Sequence, residues 1–204
     1  MFLFYDIETS GFERDSDVYE FGFVRTDDCL NVISSGNLYF YQKEWGIKAS
    51  HVHGLTRQFL EQHEQYFAKN LATLYALCHN TTWVGKNNIS YDNIVLSNFM
   101  SRYEPKGVQS LWPAGTVDVQ KMCGRRWREW HQKKFGENMG RKSGTLPDYI
   151  AMTGFSKEDI DGYMKANRIV MPEGRDKLHS ALYDTVLTLC AAKYCIFKFG
   201  DMLR

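Results

Sequence analysis

The chain opens with four large apolar residues, Phe2-Leu3-Phe4-Tyr5, and then presents two acids two positions apart, Asp6 and Glu8. Such a run predicts a buried central strand from Phe2 to Asp6, ended by the acid. Residues two apart on an extended strand point to the same side. Both carboxylates are therefore aimed together at the carboxyl edge of the strand, where open α/β sheets place their sites. Two carboxylates there repel and are costly to desolvate unless a cation or a proton is present. With 24 acids in 204 residues, Asp-x-Glu is expected by chance roughly once per chain. The strand-end setting, not the spacing, gives the pair its weight.

Two further β-type runs follow, Val18 to Arg25 and Val32 to Tyr41, with turn or bulge chemistry at Asp27-Asp28 and at Ser34-Ser35-Gly36. The first 41 residues thus predict a three-stranded antiparallel meander. The period then turns helical, with Tyr66, Leu71, Leu74, Tyr75 and Leu77 near a 3.6 repeat and Asn80 as the stop. Thr81 to Gly85 reads as a short buried strand, and Ser90 as the cap of a helix to about Arg102. Further helices are predicted over Val117 to about Phe135, Leu146 to Met152 and Ser180 to Phe197, the last with Leu182, Val186, Leu189 and Cys190 on one face. A loop through Pro172 and Gly174 precedes that last helix. Strands first, then strands alternating with helices, predict an α/β fold with a mixed sheet flanked by helices. No repeat or linker divides the chain, which reads as one domain over residues 1–204.

Composition excludes several classes. Hydrophobic content of 44% with 15% aromatics argues against disorder, and no run of about 18 apolar residues predicts a membrane span. The five cysteines, Cys29, Cys78, Cys123, Cys190 and Cys195, are scattered without zinc-type pairing. They read as reduced thiols of a cytoplasmic protein. The net charge of +1 is silent on partners, but its distribution is not. Between Lys121 and Lys142 stand eight basic residues against two acids, with Trp127, Trp130 and Phe135 interleaved. A basic, aromatic stretch within a near-neutral chain is what a polyanion-binding face would need, so Arg125, Arg126 and Arg128 are expected to contact nucleic acid. Ile196-Phe197-Lys198-Phe199 near the carboxyl end either packs on this domain or marks where a partner or further domain joins.

Two more acids have informative settings. Asp92 opens the helix that follows the short fourth strand, where a negative charge also favours the helix dipole. His179 and Asp184 are five apart, a rotation of about 140° on a regular helix. If Asp184 faces a site from within the helix, His179 belongs in the loop or first turn before it. A histidine there suits a general base, because its unperturbed pKa lies near working pH.

In this order, Asp6-Ile7-Glu8-Thr9, Asn88-x-x-Tyr91-Asp92 and His179-x-x-x-x-Asp184 resemble the three exonuclease motifs of the DEDDh superfamily of 3′→5′ exonucleases. His53-Gly54-Leu55-Thr56 resembles the short His-Gly segment between the first two motifs. Val24-Arg25-Thr26-Asp27, Asn31-Val32-Ile33 and Gly85-Lys86-Asn87-Asn88 look closest to the catalytic domain of bacterial exonuclease I. Tyr91 stands where the superfamily usually has Phe, and Asn87 where many members have His. The resemblance covers about Phe2 to Tyr194 and implies a ribonuclease H-like, mixed five-stranded sheet flanked by helices. It also implies that Asp6, Glu8, Asp92 and Asp184 hold two Mg²⁺ or Mn²⁺ ions, with Asp6 bridging, and that His179 takes a proton from the attacking water. Thr9, His53, Leu55 and Asn88 would then stand near the terminal nucleotide. Asp118 also matches a superfamily position and is read as structural.

The activity implied is metal-dependent release of nucleoside 5′-monophosphates from single-stranded DNA, with DNA favoured over RNA and no membrane partner. The alternatives are an exoribonuclease acting on short RNA and a proofreading or repair subunit docking to a larger DNA-processing complex. Exonuclease I continues into accessory domains that help enclose its strand, and this chain stops near the catalytic domain. High processivity is therefore not expected of these residues alone.

Overall fold

The computed structural model describes residues 1–46, 50–103, 113–175 and 177–203. Among these residues five strands form one sheet: β1 (Phe2–Thr9), β2 (Val18–Thr26), β3 (Val32–Tyr39), β4 (Thr82–Gly85) and β5 (Gly115–Asp118). Their order across the sheet is β3-β2-β1-β4-β5. β1 and β2 pair antiparallel, as do β2 and β3, whereas β4 joins β1 and β5 joins β4 in parallel. The expected meander and mixed sheet are both present.

Among the described residues, eight α-helices surround the sheet: α1 (Ser50–His53), α2 (Arg57–Glu61), α3 (Phe67–Cys78), α4 (Asp92–Tyr103), α5 (Val119–Phe135), α6 (Leu146–Thr153), α7 (Lys157–Ala166) and α8 (Ala181–Phe199). Alternation along β1 divides the core into two layers. Leu3, Tyr5 and Ile7 pack with Leu74 and Leu77 of α3 and with Val95 and Phe99 of α4. Phe4 faces the other way, toward Trp127 of α5, Tyr149 of α6, and Leu182 and Val186 of α8. By the same period of two, Asp6 and Glu8 share the face of Phe4 and look toward α8.

Several expectations need correction. β1 does not stop at Asp6 but continues through Glu8 to Thr9, paired with β2 throughout. Ser34-Ser35-Gly36 lies inside β3, opposite Phe23 to Arg25, and the register shift falls instead between Arg25 and Thr26. Ser90 does not cap α4; its hydroxyl bonds the Asn87 carbonyl and side-chain oxygens. Residues read as the start of a helix at Val117 form β5, and Asp118 then caps α5. α7 occupies a segment with no predicted element. α8 is not amphipathic over its first half, because every residue from Ala181 to Ala192 is buried. It sits against β1 and β2 with α5, α6 and α7 around it.

Close contact between α8 and the sheet requires Gly22. A Cβ at this position would lie 2.0 Å from the Leu182 backbone nitrogen. The Thr185 hydroxyl donates to the Gly22 carbonyl at 3.0 Å and to Ala181 at 2.7 Å, fixing the first turn of the helix there. Gly22 pairs with Asp6 in the sheet register, so the contact that seats α8 also brings Asp184 over Asp6.

Candidate active site

Three elements deliver the carboxylates. β1 supplies Asp6 and Glu8, the first turn of α4 supplies Asp92, and the first turn of α8 supplies Asp184. His179 lies just before Ser180, the N-cap of α8, with φ at +62°. A non-glycine residue there costs about 1–3 kcal/mol and persists only where its surroundings impose it. Here the His179 N–H donates to Asp184 Oδ2 at 3.1 Å. Glu8, His179 and Asp184 each place one ligand atom within 4.8 Å of the others.

The electrostatics show how tightly the acids are gathered. Burial raises the Asp6 carboxyl well above its ordinary value, and Asp92, Asp184 and Glu8 push it further. Glu8 is raised to about 8, first by burial and then by Glu20 and Asp184, with Arg175 opposing. Asp92 rises to about 7 through burial, offset by Lys86. Asp184 also rises to about 7 through burial, offset by the His179 backbone N–H and by Lys86 and Arg175. Asp184 Oδ1 is itself buried with no hydrogen-bond partner. A set of oxygen donors that repel one another, with a buried oxygen left over, fits hard divalent cations.

The cleft in front of these groups has a volume of about 390 Å³ and is lined by Asp6, Lys86, Leu178, His179 and Asp184, with Thr145 to Pro147 opposite. Lys86 makes no hydrogen bond or salt bridge with any described residue. Asp118 Oδ1 accepts the Asn87 N–H at 2.8 Å and that of Gln120 at 2.9 Å. It thereby fixes the loop that carries Lys86 and leads into Asp92, a structural role as expected.

The remaining expected residues divide. Thr9 donates to the Gly11 carbonyl at 2.7 Å and lies 3.1 Å from the Tyr91 hydroxyl, which itself donates to Gly11 at 2.6 Å. Tyr at position 91 thus adds a polar tie between the first two motifs that a phenyl ring lacks. Asn88 is fully buried, its side chain packed against Gly85. His53 is buried, and its Nδ1 accepts the Leu55 N–H at 3.0 Å. Leu55 is packed in the core with Tyr19, Tyr39 and Tyr41, which leaves it no face for a nucleotide in this conformation.

Arg125 and Arg126 are not brought to the site. Both pair with Asp201, at 2.8 and 2.9 Å, and Arg126 stacks on Phe199 at the far end of α8. At 1.5 Å per residue, that end is roughly 22 Å along the helix from Asp184. Arg128 donates to the Lys142 carbonyl at 3.0 Å. Charge in sequence did not reveal that these cations have local partners.

Sequence reasoning passed over Lys86, Glu20 and Arg175 as site residues. For Glu20 a signal existed, a lone charge within the apolar strand Val18-Tyr19-Glu20-Phe21-Gly22-Phe23-Val24. Arg175 lies in the Pro172–Asp176 segment read only as loop, and nothing local announces its contacts.

No family model matches the chain, and no curated protein matches it in sequence. Solved structures do resemble it. Escherichia coli exonuclease I in complex with a dT13 oligonucleotide superposes with a TM-score of 0.65 at 21% identity, over 96% of this chain and 40% of that one. The zinc-ion-bound form of the E. coli exonuclease I–ssDNA complex gives 0.61 at 21% identity, over 98% and 41%. Exonuclease X in complex with 5′-overhanging duplex DNA gives 0.54 at 17% identity, over 100% and 95%. The chain thus spans about two-fifths of the exonuclease I chains. What these likenesses establish is the architecture: this chain has the ribonuclease H-like α/β fold found in exonucleases I and X.

Proposed function

We propose that the protein is a metal-dependent 3′→5′ exonuclease that releases nucleoside 5′-monophosphates from single-stranded DNA. The observation that carries this reading is that Glu8, His179 and Asp184 bring ligand atoms within 4.8 Å of one another, while Asp6, which lines the same cleft as His179 and Asp184, feels the charges of Asp92, Asp184 and Glu8. The four carboxylates would hold two Mg²⁺ or Mn²⁺ ions, which when bound supply Lewis-acid activation of a water and charge stabilisation at the departing 3′-oxygen. The His179 imidazole would accept the proton of an attacking water whose oxygen bonds to the terminal phosphorus. The P–O3′ bond breaks, and the freed 3′-oxygen takes a proton from solvent. Asp184 Oδ2 holds the His179 backbone and so fixes where its imidazole can reach. Lys86, which lines the cleft and makes no hydrogen bond or salt bridge among the described residues, offers the phosphate backbone an ammonium. A single-stranded DNA substrate is in keeping with the oligonucleotide carried by the exonuclease I structure of like fold.

The test is direct. Purified protein with Mg²⁺ or Mn²⁺ is expected to shorten a 5′-labelled single strand from its 3′ end, and EDTA to stop it. Asp6→Ala should abolish cleavage, and His179→Ala should slow it by about 10²–10⁴-fold with metal binding largely retained. Single-stranded DNA, RNA and duplex with a recessed 3′ end, run side by side, decide the substrate. A product ladder unchanged by Asp6→Ala would remove the proposal.

A further inference from the structure

We propose that Arg175 and Glu20 form a positioning unit for His179, holding the loop that carries it to β2 and to the His53–Gly54 turn. The inference rests on reading His179 as the base. Both partners are buried, Arg175 at 6% and Glu20 at 0% exposure. Arg175 Nη2 donates to Glu20 Oε2 and, at 3.2 Å, to the His179 carbonyl. Its Nη1 donates to the His53 carbonyl. One guanidinium therefore joins three segments far apart in sequence. The fork geometry of Arg suits this and the single point charge of Lys does not.

His179 is thereby held at both ends of its backbone unit. Its N–H goes to Asp184 Oδ2 at 3.1 Å and its carbonyl to Arg175 at 3.2 Å. These two bonds stand on either side of a residue whose φ is +62°, the conformation least able to hold itself. Arg175 is in turn set by its own turn, with its N–H on the Pro172 carbonyl at 3.0 Å and Gly174 at φ +69°.

Glu20 is not a fifth metal ligand in this arrangement. Oε2 is taken by Arg175 and Oε1 accepts the Tyr39 hydroxyl at 3.3 Å, while its carboxylate also receives the Ala181 N–H. That last contact caps α8, whose own N-cap residue Ser180 makes no side-chain cap. As a stabilising device the pair is poorly chosen, because desolvating two charges offsets their attraction. Glu20 also adds a negative charge beside Glu8 and Asp184. What the pair does supply is a fixed orientation at the start of α8 and at His179.

The experiment is a double-mutant cycle on hydrolysis of a single-stranded oligonucleotide, with kcat and KM measured separately. Arg175→Lys is expected to lower kcat about 100-fold, the cost of a misplacement near 1 Å, and to leave KM within about threefold. In the His179→Ala background the same change should lower kcat by no more than about twofold. Glu20→Gln, which keeps the side chain's shape, should give the same pattern and stands in should Arg175→Lys fail to fold. Full activity of either folded variant, or a loss that multiplies with that of His179→Ala, would overturn the positioning role. If His179→Ala itself retains full kcat, the reading of His179 as base fails instead, a result distinct from the others.

Discussion

Asp184 has two oxygens with different surroundings: Oδ2 accepts the His179 N–H, and Oδ1 is buried without a partner. The division suggests how one residue can both shape the loop and face a cation. Lys86 is the cationic counterpart in the lining of the same cleft. Its positive charge lowers the carboxyls of Asp92 and Asp184 toward their ordinary values, so it opposes a cation there and attracts a polyanion. Lys86→Ala is therefore expected to move two affinities in opposite directions. Mn²⁺ binding, followed by calorimetry, should tighten about threefold, and KM for the oligonucleotide should rise by a similar factor at low salt. Parallel changes in both would contradict the argument. The acids stood out in sequence because each has a local setting: Asp6 and Glu8 near a strand end, Asp92 and Asp184 in the first turn of a helix. Glu20 was visible as a charge in an apolar strand, but its partner lies 155 residues away. No spacing rule reaches that far.

The position of α8 depends on a backbone contact rather than on its apolar face. Gly22→Ala would set a methyl group 2.0 Å from the Leu182 nitrogen, and no rotamer relieves a clash with backbone. The helix must lift from β2, taking Asp184 away from Asp6. The expected cost is about 3 kcal/mol, at the upper end for overpacking, or a fall in melting temperature of roughly 6–12 °C for a chain of this size. Activity should fall with it, and an unchanged melting temperature would show that the helix is not seated as described. Element boundaries explain what sequence could and could not foretell. β5 is four residues long and runs without a break into α5, with Asp118 both the last strand residue and the helix cap, so periodicity could not divide them. α7 buries only Ile160 and Met164, too few for a pattern. Its capping box of Ser156 and Asp159 was the legible signal. The long, apolar α8 was found within two residues at each end, but the burial of its first half on all sides follows from β1, β2, α5, α6 and α7, which lie elsewhere in the sequence.

At the scale of the whole molecule, charge is sorted into two regions that composition could not separate. The cations of α5 that suggested a nucleic-acid face include Arg125 and Arg126, paired with Asp201 at the end of α8. The acids, spread over the chain from Asp6 to Asp184, act on one another electrostatically, and Asp6 and Asp184 line one cleft. That interaction gives stability a definite dependence on pH. In the unfolded chain these carboxyls titrate near 3.8 for Asp and 4.5 for Glu; in the fold Asp92 and Asp184 stand at about 7 and Glu8 at about 8, with Asp6 raised as well. Between about pH 4 and pH 8 the folded chain therefore holds more protons than the unfolded one, and the contribution of this cluster to stability declines as pH rises through that window. Divalent cations held by these carboxylates would compete with those protons for the same oxygens, so their stabilising effect would grow over the same interval. Thermal melts in EDTA and in millimolar Mn²⁺ at about pH 5.5 and pH 8.5 test this. The metal-dependent rise in melting temperature should be clearly larger at the higher pH, and Asp6→Asn should remove most of the difference. An equal rise at both values would mean that the cation binds somewhere other than these four carboxylates.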